Sequence, residues 1–125
     1  MSSSFEMSEK RLIINNFEVN FDYNIENVVY WDGVYVVLLH IPNESKEVDN
    51  IYGVDCNGDI IWRIENPIQA FNVDENVTWY DHLALSIYVG LNLTPAGDFS
   101  ATTFFGIKYT FDHKSGKLLE KEFVK

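Results

Sequence analysis

The chain has 125 residues, of which 46% are hydrophobic and 15% aromatic, and a formal net charge of −10. That length and apolar content suffice for one domain with a sizeable core and exclude a disordered acidic chain, which would be poor in aromatics. Acidity of this degree repels phosphate backbones and so excludes nucleic acid as the expected partner.

Residues 1–10, where Ser2, Ser3 and Ser4 precede a mixed polar run, are expected to be a disordered tail, and residues 11–125 a single all-β domain. Residues 11–24 read as a hairpin. Leu12-Ile13-Ile14 leads into Asn15-Asn16, and Phe17, Val19, Phe21 and Tyr23 then alternate with Glu18, Asn20 and Asp22, the period of a strand with one wet face. Residues 28–41 form a second hairpin about Asp32-Gly33, a pair suited to a two-residue turn. Its second strand, Val34-Tyr35-Val36-Val37-Leu38-Leu39, is apolar on both faces and belongs at the centre of the fold.

Residues 42–49 are a charged loop with Glu44, Glu47 and Asp49. A third hairpin over 50–65 turns at Asn57-Gly58, after which Ile60, Trp62 and Ile64 share one face. Asn66-Pro67 ends it, because proline cannot continue a ladder. Residues 68–76 fit either an extended crossing or one turn of helix. A hairpin about Asp81-His82 is expected over 77–91, a loop over 94–98, an extended run over 99–112, a turn at Lys114-Ser115-Gly116 and a closing strand over 117–124. Sustained helical periodicity is absent.

Tyr52-Gly53-Val54-Asp55, then Gly58, then Trp62 resembles the outer hairpin of a blade in the quinoprotein-type (PQQ-like) β-propeller family. The resemblance implies that these residues dock one blade on the next; it speaks to architecture and not to chemistry. A second copy is visible: residues 28–39 answer 77–91, and Tyr52…Gly58 answers Tyr109-Thr110-Phe111-Asp112…Gly116, with Glu120 where the first copy has Trp62. Each unit is four strands, and two blades cannot close a ring, since closed propellers need at least about four. The expected fold is a twisted antiparallel meander of about ten strands: two propeller-blade-like units, curled on themselves or packed as two layers, with the N-terminal hairpin added to an edge.

Chemistry is sparse. His40, His82 and His113 are far apart in sequence, and no pair has metal-ligand spacing, so no metal and no cofactor are expected. Asp55-Cys56-Asn57-Gly58-Asp59 looks like a calcium loop but is equally ordinary turn chemistry, and Cys56 reads as an inert turn cysteine. As the lone cysteine it excludes an internal disulfide framework and fits a reducing compartment. The sequons at Asn43, Asn76 and Asn92 therefore read as accidental. With neither signal peptide nor transmembrane helix visible, the expected location is cytoplasmic, without membrane association.

What remains is surface. Residues 1–105 hold 16 acids against 4 bases, whereas residues 106–125 hold 3 acids and 5 lysines. Trp79 and Tyr80 lie beside Asp74, Glu75 and Asp81, the mixture of contact area and steering charge that suits a basic protein partner. Trp79 or Tyr80 could equally fill the core opposite Trp31. The loop with Glu44, Glu47 and Asp49 is a second candidate. The expected function is a non-enzymatic protein-binding module, similar in general character to bacterial immunity proteins that mask the active site of a basic toxin. The alternative left open is a small-molecule-binding or enzymatic β-barrel with a pocket lined by Tyr35, Trp62, Tyr88 and Phe105. A homodimer formed through blade edges is also open.

Overall fold

The computed structural model describes residues 5–42, 49–65, 88–94, 98–103 and 107–123. These form eleven strands: β1 (Phe5–Ser8), β2 (Arg11–Ile14), β3 (Phe17–Asn20), β4 (Ile25–Trp31), β5 (Val34–Leu39), β6 (Ile51–Asp55), β7 (Ile60–Arg63), β8 (Tyr88–Leu93), β9 (Phe99–Thr103), β10 (Ile107–Phe111) and β11 (Leu118–Phe123). Every pairing is antiparallel between sequence neighbours, giving a three-stranded sheet β1-β2-β3 and two four-stranded meanders, β4 to β7 and β8 to β11. The all-β meander is as the alternation foretold, and among the described residues no barrel closes.

The sheets stack as three layers with the β4–β7 sheet in the middle. Leu12, Ile14 and Val19 of the first sheet pack against Tyr35, Val37, Leu39 and Val54 on one face of the middle sheet. On its other face Val34, Val36, Leu38, Ile51, Trp62 and Ile64 meet Tyr88, Leu91, Phe99, Ala101, Tyr109 and Phe111 of the third sheet. Successive side chains of a strand point to opposite faces, so an all-apolar β5 must be covered twice, and all six of its residues are buried. The outermost faces are polar. Pairing puts Glu6, Arg11 and Glu18 on one, and Asn92, Ser100, Thr102 and Lys108 on the other.

The tight turns take the backbone that their residues favour. Asn15 and Asn16 have φ of 49° and 73°, and Asp32 and Gly33 have φ of 45° and 84°, the doubly positive pattern of two-residue hairpins. Between middle and third sheets, Asn50 is buried and ties the layers. Its Nδ2 donates to the carbonyls of Leu39 (2.7 Å) and Tyr88 (3.0 Å), and its Oδ1 accepts from the Tyr88 N–H (2.9 Å).

Three expectations need correction. Residues 5–8, placed in a disordered tail, form β1, paired with β2 and anchored by Phe5 edge-on to Tyr35 at 5.6 Å. The N-terminal strands do not extend an edge; they cover a face, because the Tyr35 side of β5 would otherwise be bare. In the second meander β8 pairs with β9, closed by the Thr94 N–H donating to the Asp98 carbonyl at 2.9 Å; the hairpin expected about Asp81-His82 lies outside the described residues. The proposed pocket residues do not share one lining: Tyr35 belongs to one interlayer core, and Trp62 and Tyr88 to the other. Phe105 and the segment 68–87 lie outside the described residues.

Candidate functional site

One device is used twice to seat each sheet on the next. Trp62 in β7 stands opposite Gly53 in β6, and its ring also lies against Gly116 in the turn between β10 and β11. A Cβ built on Gly53 would come within 2.1 Å of the indole and one on Gly116 within 2.6 Å, so only glycine fits either place. The indole stacks on Phe99 at 5.6 Å with an interplanar angle of 3°, and Nε1–H donates to the His113 carbonyl at 2.9 Å. In the preceding layer Phe17 occupies the space above Gly58, and the Asn15 amide donates to the Cys56 carbonyl at 3.4 Å. Cys56 follows Asp55 as His113 follows Asp112, so the repeat read from Tyr52…Gly58 and Tyr109…Gly116 is also a repeat of docking contacts.

These contacts gather the hairpin turns at one end of the stack. Asp55 shapes its turn by accepting from the N–H groups of Asn57 (2.9 Å) and Asp59 (3.0 Å). Asp112 shapes its own through the Ser115 hydroxyl at 2.6 Å and the Lys114 N–H at 3.5 Å. That Ser115 hydrogen bond is the main reason the Asp112 carboxyl is held below the usual carboxylate range. Cys56 is free, and its Sγ lies 3.7 Å from the Gly33 carbonyl, joining the turns of the middle sheet.

The second copy of the turn is one residue longer between Asp and Gly, and His113 is buried there with its side chain only 9% exposed. Three carboxylates from three turns surround the ring. Nδ1 lies 3.7 Å from Asp98 Oδ1 and 4.0 Å from Asp112 Oδ1, and Nε2 lies 3.9 Å from Asp32 Oδ2. Neither ring nitrogen has a hydrogen-bond partner among the described residues. Lys114 Nζ holds Asp32 from outside at 3.3 Å. The arrangement presents one nitrogen lone pair and two carboxylates to a common point. Next to it Trp31 is 45% exposed at the tip of the β4–β5 hairpin.

The opposite end of the stack carries an open groove of about 240 Å³ lined by Phe21, Asp22, Tyr23, Tyr52, Ile60 and Arg63. The Arg63 guanidinium lies 5.3 Å over the Tyr52 ring, and its Nε donates to the Asp49 carbonyl at 3.0 Å. Asp49, expected in a partner-binding loop, is thus at this end and uses its backbone to fix Arg63. The other expected partner residues, Glu44, Glu47, Asp74, Glu75, Trp79, Tyr80 and Asp81, lie outside the described residues.

Sequence reasoning passed over Trp31, Asp32, Asp98, Asp112 and His113 as a group. Its available signal was the Asp-x…Gly turn in both copies, with a histidine in the second at the position docked by a tryptophan.

The domain of unknown function DUF7957 has a family model that matches residues 2–123. No curated protein matches the chain. Among solved structures, the computationally designed Ika8 protein is similar at 9% sequence identity with a TM-score of 0.56; the match covers 96% of this chain and 36% of that one. That likeness concerns the fold alone, and this chain spans about a third of that protein's length. Among the described residues no helix is long and apolar enough to cross a membrane.

Proposed function

Because the chain belongs to the DUF7957 family, whose description names no activity, we propose its function from the site itself: a non-enzymatic protein-binding module whose turn end engages a basic protein. The observation that carries this reading is Trp31. A tryptophan 45% exposed ends β4 at the Asp32-Gly33 turn, at the end of the stack where Asp32, Asp98 and Asp112 gather around His113 and where Asp55 and Asp59 shape the next turn of the same sheet. A rigid aromatic gives contact area at small entropic cost, and surrounding carboxylates steer a cationic surface toward it. It is the same kind of pairing of aromatic and acid as that expected from sequence at Trp79 and Asp81, which lie outside the described residues.

An immunity protein that neutralises a basic toxin by covering its active site, acting in the cytoplasm, is the specific form of this proposal. Separate stacked sheets, with Tyr35 in one core and Trp62 and Tyr88 in the other, weigh against the ligand-filled barrel. We also read the sheets as successive PQQ-like propeller blades in an open stack. The seating of Trp62 on Gly116, repeated by Phe17 on Gly58, supports that reading.

The test is capture of the partner from native cells at low salt, followed by titration of the purified pair. The expected result is a complex weakened by salt and weakened roughly 30-fold or more by Trp31→Ala, the loss typical of a central tryptophan. Unchanged affinity in Trp31→Ala would move the interface off the turn end.

A further inference from the structure

We infer that His113, Asp98 and Asp112 form a binding site for a divalent first-row metal ion of the zinc class. The site shares Asp98 and Asp112 with the partner reading but does not rest on it. Its three ligand atoms, His113 Nδ1 and one oxygen from each aspartate, all lie within 4.8 Å of one another. The two nitrogen–oxygen separations are 3.7 and 4.0 Å. Zinc bonds of about 2.0–2.2 Å in a tetrahedral arrangement place ligand atoms roughly 3.4 Å apart, so closure on an ion needs the aspartate side chains to move inward by up to about an ångström.

Acidic side chains near one another are common on any surface, and the imidazole is what sets this group apart. It is nine-tenths buried with both nitrogens unpartnered, a costly arrangement that calls for a missing partner. Its backbone cannot retreat, because the His113 carbonyl is held by Trp62 Nε1. The mixed nitrogen and carboxylate donor set suits zinc, cobalt or nickel better than calcium or magnesium, which take oxygen.

The far side of the ring supplies the second half of the argument. A histidine that binds metal through one nitrogen carries its proton on the other, and that N–H typically points at a carboxylate. Nε2 faces Asp32 at 3.9 Å, and Asp32 is itself fixed by Lys114. Asp32 is therefore a positioning residue, setting the ring's tautomer. Because it comes from the middle sheet while the ligands come from the third, metal binding also clamps the two layers together. Three protein ligands leave at least one position for water.

The test uses the full chain freed of metal by chelation. Zinc is titrated by calorimetry, cobalt by its visible absorption, and imidazole tautomers are read by nitrogen–proton correlation spectra. The expected result is one equivalent bound, a melting temperature raised by zinc and restored by chelator, and His113 as the Nε2–H tautomer. Asp98→Asn should weaken binding at least tenfold. Asp32→Asn should weaken it about tenfold and loosen the tautomer, an effect that a merely structural role would not produce. His113→Asn should abolish binding; if that variant fails to fold, Asp98→Asn decides, since no described contact of its carboxylate other than His113 is lost. No binding at millimolar zinc, or stoichiometric binding undiminished in Asp98→Asn, overturns the proposal and leaves water as the missing partner of the ring.

Discussion

Trp62 and Gly53 face each other across β6 and β7, and their dependence can be measured as a double-mutant cycle. Gly53→Ala adds a Cβ at 2.1 Å from Trp62 Cε2 and 2.4 Å from Nε1. The ring cannot withdraw, because Gly116 and Phe99 lie against it and Nε1 is bonded to His113. Overpacking of this kind costs about 1–3 kcal/mol. Trp62→Ala removes the ring and leaves a cavity in the interlayer core, for about 3–5 kcal/mol. Once the ring is gone the added methyl meets open space. Gly53→Ala in the Trp62→Ala background should then be neutral or gain roughly 0.5–1 kcal/mol, since alanine orders more cheaply than glycine in a strand. The coupling energy is thus about 1–4 kcal/mol, above the additivity error for distant sites. Urea denaturation followed by far-ultraviolet circular dichroism reads all four corners without relying on tryptophan fluorescence. Equal cost of Gly53→Ala in both backgrounds would refute the reasoning and assign the glycine to a backbone requirement.

Two further outcomes follow from the same geometry. Gly33 and Gly58 both have positive φ, but a Cβ at Gly33 meets nothing within 4 Å, whereas one at Gly58 lies 2.7 Å from Phe17 Cβ. Gly33→Ala should cost about 1–2 kcal/mol for the left-handed backbone alone, and Gly58→Ala should cost clearly more in the same denaturation assay; equal losses would remove Phe17 from the docking scheme. At alkaline pH, burial pushes Tyr109 up to about 12 and Tyr88 well above the ordinary 10.0. The unfolded chain releases those protons first, so stability is intact below pH 10 and falls as pH rises from there toward 12. The slope approaches about 1.4 kcal/mol per pH unit for each buried phenol. Denaturation midpoints measured across that range test this, as does phenolate absorbance, which would contradict it if every tyrosine ionised together with the fold intact.

Much of the architecture was legible because it is local. Alternation set the strands, Asp32-Gly33 and Asn57-Gly58 set their turns, and an unbroken apolar β5 required two covering layers. The Tyr52-Gly53-Val54-Asp55 pattern pointed to Trp62 as a docking residue, and its partner glycine in the second copy is the one it meets. Residues 5–8 were hidden because a short edge strand with three polar neighbours upstream carries no alternation to read; only Phe5 betrays it. The site was hidden for a different reason. Asp32, Asp98 and His113 come together through the stacking of two sheets, so no sequence spacing encodes their meeting. His113 sits at the start of a turn, but turns are ordinarily wet, and this one is pressed against the layer beneath.

The middle sheet alone belongs to both cores, and this divides the molecule's resistance to opening unequally. Releasing the first sheet strips one side of β5 yet leaves the Trp62 contacts whole, whereas no opening of the middle sheet spares either core. In stacked architectures each layer's protection reflects its own stability plus that of its interfaces. Amide hydrogens of β2 and β3 should therefore exchange through a partial opening, while those of β5 and β6 wait for the whole chain to unfold. A protein built this way has a detachable front layer on a slower-opening base.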